Sequence, residues 1–287
     1  MHNFNPGTYV RPSTVGEALD LLSEHGSEAM IMAGGTDLLI EKPSGIGCLV
    51  DISSLPLDYI ENDETGLRIG ALTTLEGIRN HGLLNGPLKV LAEAARNFGH
   101  KNVRNLATVG GNLCSSVPSA DLAPPFIVLD AEVKISCPDG VRTVAMDEFF
   151  VDVRKNILRD TELLTEIRVP HQPPRTGTAF AKIGRTSVDI ALVNAAVRVT
   201  LGDDGTFSEV RIALGSVAPT PLRVVETESL LIGKDLDAVL IDEAAEAATG
   251  EIRPISDVRS SAGYRREAGK VLVKRCITIA LERASEG

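Results

Sequence analysis

Two short stretches, AGGTD at residues 33–37 and TVGGN at residues 108–112, carry the strongest signal in this chain of 287 residues. Each follows or adjoins a predicted strand, and each contains two consecutive glycines, which permit a tight backbone bend. Because glycine has no side chain, the backbone N–H groups in such a bend can approach an anion closely. With hydroxyl and amide side chains next to the glycines, the two stretches predict a clamp for a diphosphate and hence a dinucleotide cofactor. The alternative is a pair of tight turns without a ligand.

The charge balance excludes one class of partner. The chain has 29 basic and 39 acidic residues, a formal net charge of -10. An acidic chain without a basic run disfavours nonspecific binding to nucleic acids. Apolar runs also stay well short of the roughly 20 residues that a membrane-spanning helix needs. We therefore expect a cytoplasmic protein that binds neither nucleic acid nor membrane.

The cysteines are scattered along the chain, at Cys48, Cys114, Cys137 and Cys276. Structural zinc and iron–sulfur sites need clustered thiolates, which this spacing does not provide. We therefore expect free thiols and no metal site in the chain. An electron carrier held by it is expected to be organic.

Local signals in the first half predict alternating helices and strands. A capping box at Thr14 and Glu17 predicts a helix that ends at Gly26. Short strands are predicted at residues 28–32 and 49–52. A second capping box pairs Thr73 with Glu76, and the apolar run Phe126–Ser136 predicts one long strand.

The second half has a different pattern. Residues 171–174 (HQPP) are the best linker candidate. After them, strands are predicted at 179–183, 192–201 and 207–214. Helices are predicted at the end of the chain, over 223–231, 238–248 and 260–284. This order predicts a three-stranded sheet backed by helices.

Familiar nucleotide and hydrolase motifs are absent from the sequence. It contains no G-x-G-x-x-G after a strand, which argues against an ordinary Rossmann site. It also contains no P-loop, no G-x-S-x-G and no H-E-x-x-H. The two glycine stretches therefore need a different explanation.

Longer segments around these stretches carry a family resemblance. AGGTDLL at 33–39 and VRNLATVGGNLCSSVPSADLAPP at 103–125 closely resemble the FAD-binding medium subunit of molybdenum hydroxylases, of the xanthine dehydrogenase and carbon monoxide dehydrogenase type. The resemblance implies an α+β fold with a two-part FAD-binding domain of the vanillyl-alcohol-oxidase type at residues 1–172, divided into subdomains of about 1–57 and 58–172. A C-terminal domain of the carbon monoxide dehydrogenase flavoprotein type, a three-stranded sheet with helices, would occupy residues 173–287.

The resemblance also implies a set of residues that contact FAD, and it implies no catalytic residue and no metal ligand in this chain. The implied set is Ile31, Met32, Ala33, Gly34, Gly35, Thr36, Asp37, Leu38, Phe98, Thr108, Gly110, Gly111, Asn112, Asp121, Leu164 and Lys182. Backbone N–H groups of the first stretch would wrap the pyrophosphate, and the second stretch would close the other side.

The remaining members of the set have individual roles and individual alternatives. Phe98 would pack against the adenine, or belong to the ordinary core. Asp121 would accept hydrogen bonds from cofactor hydroxyls, or cap a loop. Leu164 and Lys182 would line the flavin end, where a lysine stabilises negative charge on the reduced ring. The alternative for Lys182 is a solvated strand residue.

The implied function is electron transfer. In this family a large molybdopterin subunit oxidises the substrate and a small subunit carries two [2Fe–2S] clusters. The FAD subunit takes electrons from those clusters and passes them to an external acceptor. A dimer of heterotrimers is the expected assembly. The alternatives are a stand-alone flavin-dependent oxidoreductase and a flavin-free scaffold subunit of such a complex.

Overall fold

The first part of the chain forms a small parallel sheet with one helix. The structure, a computed structural model, describes residues 4–286, so residues 1–3 and 287, at the ends of the two predicted domains, lie outside the described residues. The sheet has the order β1-β3-β2. Its elements are β1 (Thr8–Val10), α1 (Val15–His25), β2 (Ala29–Met32), α2 (Leu38–Glu41) and β3 (Cys48–Asp51).

Helix α1 begins where the sequence predicts. Thr14 Oγ1 accepts a hydrogen bond from the backbone N–H of Glu17 at 3.1 Å, and the Glu17 carboxylate accepts one from the N–H of Ser13 at 2.7 Å. These bonds satisfy donors that the first helical turn leaves open. The helix packs its apolar face, with Ala18 and Leu22, into the core beside the parallel sheet.

The second part is built on an antiparallel sheet of five strands in the order β4-β5-β10-β6-β7. Its strands are β4 (Ile60–Asp63), β5 (Gly66–Gly70), β6 (Glu132–Cys137), β7 (Gly140–Ala145) and β10 (Leu163–Pro170). Between β5 and β6 the chain forms the helices α3 (Leu75–Asn80), α4 (Lys89–Arg96), α5 (Lys101–Arg104), α6 (Val109–Cys114) and α7 (Ala123–Val128). A two-stranded hairpin follows β7, with strands β8 (Phe150–Asp152) and β9 (Lys155–Asn156).

Two local predictions in this part were wrong. The segment Phe126–Ser136 is not one strand, because its first residues belong to α7 and only its end lies in β6. All six residues of α7 are buried, so the helix has no polar face that would reveal its period in the sequence. The cap of α3 is Thr74, which accepts from Gly77 N at 3.1 Å. Thr73 instead bonds the backbone of Tyr59.

The third part is an antiparallel sheet covered by long helices. Its strands follow chain order: β11 (Thr176–Ile183), β12 (Val193–Leu201), β13 (Phe207–Gly215) and β14 (Leu222–Arg223). The helices are α8 (Val225–Leu231), α9 (Ala238–Glu251) and α10 (Ala262–Glu286). The α+β fold class is confirmed. The sheet has four strands, not three, because β14 adds two residues beside Ala213 and Leu214.

The second and third parts share a buried boundary. Phe180 and Ala196 belong to the same apolar cluster as helix α7. Thr178 Oγ1 donates to the carbonyl of Pro87 at 2.7 Å, and Arg283 Nη2 donates to Glu93 at 2.6 Å. The β11–β12 sheet is thus fixed against helices α4 and α7. No helix in residues 4–286 is long and apolar enough to span a membrane.

Candidate cofactor site

The first glycine stretch is an open loop between β2 and α2. Gly35 has a φ of +66°, a left-handed conformation that glycine adopts without steric cost. Gly34 lies against the backbone of the segment before α6, where an added Cβ would come within 1.7 Å of the Leu106 carbonyl oxygen. The sequence therefore has two glycines here for two reasons. One sets the turn and the other allows close packing.

This loop leaves backbone donors available. Within residues 4–286, the N–H groups of Gly34, Gly35, Thr36 and Asp37 have no protein hydrogen-bond partner. Consecutive unpaired N–H groups in a turn form a concave site that favours an anion. The Leu39 N–H, at the next turn, already bonds the Gly35 carbonyl at 3.1 Å. The run of available donors therefore coincides with the glycine stretch.

The second glycine stretch is the start of helix α6. Thr108 is its N-cap and accepts from the Gly111 N–H at 3.0 Å. The Val109 N–H donates to the Thr73 carbonyl at 2.9 Å, and the Gly110 N–H donates to the Ala71 carbonyl at 2.8 Å. All three N–H groups are therefore bonded within the protein.

The second stretch keeps side-chain donors for a ligand. The Thr108 hydroxyl accepts from Gly111 and retains its own proton for donation. Asn112 accepts from the Leu122 N–H through Oδ1 at 3.3 Å, which directs its Nδ2 away from Leu122. Because both side chains line the same cavity as the first loop, the two stretches offer different kinds of donor to one ligand.

A cavity of about 360 Å³ lies between the two stretches, within the range of small-molecule and cofactor sites. Every residue of the implied FAD set lines it except Asp121 and Lys182. Leu164 reaches it from β10, far from both glycine stretches in sequence. Apolar walls with polar groups at one side are typical of cofactor sites.

Phe98 lines this cavity and also packs against the main apolar core. Arg104 fixes the backbone beside it, donating from Nη1 to the Phe98 carbonyl at 3.0 Å and to the Gly99 carbonyl at 2.7 Å. Arg104 also pairs with Glu76 at 2.7 Å, and this hydrogen bond is the main cause that lowers the pKa of Glu76 to about 2. Phe98 therefore fits both interpretations, and its contact with adenine stays a prediction.

Asp121 and Lys182 lie behind the cavity wall. Lys182 Nζ is 2.6 Å from Asp121 Oδ2, and the two side chains are 6% and 4% exposed. Burial raises the pKa of Asp121, while Lys182 and Asn194 counteract the shift. The interpretation of Lys182 as a solvated strand residue is wrong, because β11 places it at a buried boundary. A direct contact of either side chain with FAD stays a prediction.

Three further side chains at the cavity were not predicted. Arg154, in the turn between β8 and β9, pairs with Glu41 at 2.6 Å, and Arg159 lies on the same rim. Cys114 lines the cavity from α6, and burial raises the pKa of its thiol to about 12, so the thiol is neutral. The two arginines follow the second stretch by more than 40 residues. No local motif identified them.

Comparison with known families agrees with this geometry. Residues 2–172 match the model described as the FAD binding domain in molybdopterin dehydrogenase. The chain belongs to this family. Residues 178–280 match a second model, the carbon monoxide dehydrogenase flavoprotein C-terminal domain. The resemblance seen in the sequence is confirmed.

Individual relatives are similar over nearly their whole length. The chain is 34% identical to the carbon monoxide dehydrogenase medium chain of Hydrogenophaga pseudoflava, covering 96% of this chain and 98% of the relative. It is 33% identical to the xanthine dehydrogenase FAD-binding subunit of Escherichia coli, covering 98% of each. A solved carbon monoxide dehydrogenase structure from Hydrogenophaga pseudoflava superposes with a TM-score of 0.93 at 34% identity, over 97% of this chain and 98% of that one.

The residues at the cavity fit the cofactor that the family name implies. A diphosphate needs several oriented donors, and the first stretch presents consecutive N–H groups that have no protein partner in the described part of the chain, residues 4–286. A Cβ at Gly111 would come within 2.9 Å of the Thr108 hydroxyl oxygen, so the glycine leaves room for that hydroxyl beside the cavity. The chemistry of this donor set suits FAD.

Proposed function

We propose that this chain holds FAD in the cavity between the two glycine stretches and transfers electrons within a molybdenum-containing hydroxylase or dehydrogenase. FAD supplies a centre that takes up electrons singly and releases them in pairs. The observation that carries the proposal is the run of N–H groups at residues 34–37 that have no protein partner within residues 4–286, in a loop that lines the same cavity as most of the implied FAD residues.

The chain's own residues bind and orient the cofactor. The N–H groups of the first stretch hold the diphosphate, and Thr108 and Asn112 donate from the opposite side. Phe98 and Leu164 supply apolar contact to the aromatic parts. Since a buried thiol with a pKa of about 12 stays protonated, Cys114 adds no charge to the cavity.

The proposed partners are a small subunit with [2Fe–2S] clusters and a large molybdopterin subunit, assembled as a dimer of heterotrimers in the cytoplasm. Electrons pass from the clusters through FAD to an external acceptor. The similarity to a medium chain and to an FAD-binding subunit supports this assignment. The proposed division is an FAD-binding domain at residues 1–172 and a C-terminal domain at 173–287, and two separate family models support it.

The substrate of the complex is set by the partner chain in this proposal. Relatives of nearly equal similarity come from enzymes named for different substrates. They include the carbon monoxide and xanthine dehydrogenases and the 6-hydroxypseudooxynicotine dehydrogenase complex of Paenarthrobacter nicotinovorans, whose subunit alpha is 34% identical over 96% of this chain and 95% of that subunit. Because similar flavin subunits occur in enzymes named for different substrates, the similarity supports a substrate site on another subunit.

Absorbance spectroscopy and co-purification test the proposal together. The purified chain should show flavin absorbance without iron–sulfur bands, and the released flavin should be FAD by chromatography. The tagged chain should co-purify with one smaller and one larger subunit. A flavin-containing chain with substrate turnover and no partners would support a stand-alone oxidoreductase. A colourless chain that binds no added FAD would support the scaffold alternative.

A further inference from the structure

The loop between α6 and α7 meets the β11–β12 sheet in a buried polar cluster of Asp121, Lys182 and Asn194. Lys182 Nζ donates to Asp121 Oδ2 at 2.6 Å, and Asn194 Nδ2 donates to Asp121 Oδ1 at 2.9 Å. Both carboxylate oxygens are thus held by side chains of the C-terminal sheet. Asn194 has no exposed surface.

The sheet register sets this arrangement. Lys182 on β11 and Asn194 on β12 are direct cross-strand partners, so their side chains leave the same face of the sheet. Gly215 on β13 is the partner of Asn194 on the other side. A Cβ at Gly215 would lie 2.2 Å from Asn194 Oδ1. Space for the Asn194 amide therefore depends on a glycine at that position.

The cluster is connected to the cavity wall at two points. Lys182 Nζ also donates to the Asn97 carbonyl at 3.1 Å, next to Phe98. Asp121 immediately precedes Leu122, whose N–H donates to Asn112 Oδ1. Phe98 and Asn112 both line the cavity. Side chains of the C-terminal sheet thus hold the backbone behind two residues that face the proposed cofactor.

We propose that Asn194 is a positioning residue for FAD, acting through Asp121 to fix Asn112 and the adjoining wall of the cavity. This inference rests on the proposed function, since it requires FAD in the cavity. Neither Asn194 nor Gly215 lines the cavity, so the effect is transmitted through the hydrogen bonds of Asp121. Removing the amide leaves one buried carboxylate oxygen without its donor.

The first test compares Asn194→Leu with Thr178→Val in the full chain. Both side chains are fully buried and each makes one hydrogen bond across the same boundary, but the bond of Thr178 ends on Pro87, away from the cavity. We expect both variants to lower the melting temperature. Only Asn194→Leu should raise the Kd for FAD, by about tenfold. The Kd is measured by quenching of flavin fluorescence on reconstitution of the deflavinated chain.

Asn194→Asp provides a second readout that a merely structural role would not change. The charged groups that meet the amide are Asp121 and, beyond it, Lys182. At acidic pH the protonated aspartic acid donates to Asp121 as the amide does, so the Kd should approach that of the wild type. As the pH rises and both carboxyls ionise, the Kd should increase relative to the wild type. Asn194→Leu should show no such added pH dependence.

Three outcomes distinguish the claims. A wild-type chain that binds no FAD overturns the proposed function and this inference with it. Wild-type binding with an equal rise in Kd for Asn194→Leu and Thr178→Val overturns the inference alone. A pH profile of Asn194→Asp that is parallel to the wild type also overturns it, and this variant is decisive if the leucine variant does not fold.

Discussion

The two glycine stretches look alike in sequence and differ in structure. The first, residues 33–37, is an open loop whose N–H groups have no protein partner within residues 4–286. The second, residues 108–112, begins helix α6 and bonds its N–H groups to Thr108 and to the segment before α3. The first stretch therefore offers backbone donors, whereas the second offers the side chains of Thr108 and Asn112.

The glycines themselves also have different roles. Gly34 and Gly110 are glycines because neighbouring backbone carbonyls leave no room for a Cβ. Gly35 is a glycine because its φ is positive, and Gly111 leaves room for the Thr108 hydroxyl, which a Cβ would approach to 2.9 Å. A repeated Gly-Gly pair is thus not evidence of two equal halves of a clamp. Substitutions in each stretch can therefore separate the two roles experimentally.

The largest effect is expected at Gly34. In Gly34→Ala the Cβ would meet the Leu106 carbonyl, a backbone atom that cannot rotate away. We expect the free energy of unfolding to fall by about 3 kcal/mol and the chain to be isolated without FAD. Urea denaturation and flavin content measure the two effects. Gly16→Ala is the matched control, because its Cβ meets nothing closer than 3.8 Å. Normal flavin content in Gly34→Ala would contradict the role of the first stretch.

A smaller effect is expected at the cap of α6. Thr108→Val and Thr74→Val each remove one N-cap hydroxyl that accepts from a glycine N–H, at 3.0 and 3.1 Å. Each should cost about 1 kcal/mol of stability. Only Thr108 lines the cavity, so only Thr108→Val should weaken FAD binding, by about fivefold. Chemical denaturation and FAD titration test this pair. Equal FAD affinity in the two variants would contradict a contribution of the Thr108 hydroxyl to FAD binding.

The smallest effect is expected at Asp37 in the first stretch. Burial of its carboxyl and the nearby Glu41 raise its pKa, and Arg154 opposes the shift. Because the folded chain holds this proton more tightly, the stability from Asp37 is complete below its ordinary pKa and is lost as the pH rises through the raised value. When ionised, the Asp37 carboxylate repels the anionic diphosphate, and Arg154 offsets part of its charge. Asp37→Asn should therefore bind FAD about twofold more tightly at pH 7.

The pH dependence provides the check for Asp37→Asn. The difference in FAD affinity between the variant and the wild type should shrink as the pH is lowered and the wild-type carboxyl gains its proton. Titrations at several pH values between 4 and 8, at constant ionic strength, follow this difference. A constant difference across the range would show that the Asp37 charge is not its source.

Local patterns in the sequence predicted much of the fold. The capping box at Thr14 and the strand that leads into the first glycine stretch are both present, because caps and turns depend on neighbouring residues. The prediction was wrong where local signals were ambiguous. The buried helix α7 ends in Phe-Ile-Val, residues that favour a strand, and the two-residue strand β14 is too short to have a pattern.

The family and its cofactor follow from contiguous residues, since the two glycine stretches and their flanking segments form a specific pattern. Which N–H groups lack a protein partner within residues 4–286 depends on long-range packing, because their possible acceptors come from distant segments. The cluster at Asp121 shows the same limit, with partners 61 and 73 residues away at Lys182 and Asn194. Sheet register and packing bring such residues together, and no local pattern encodes that contact.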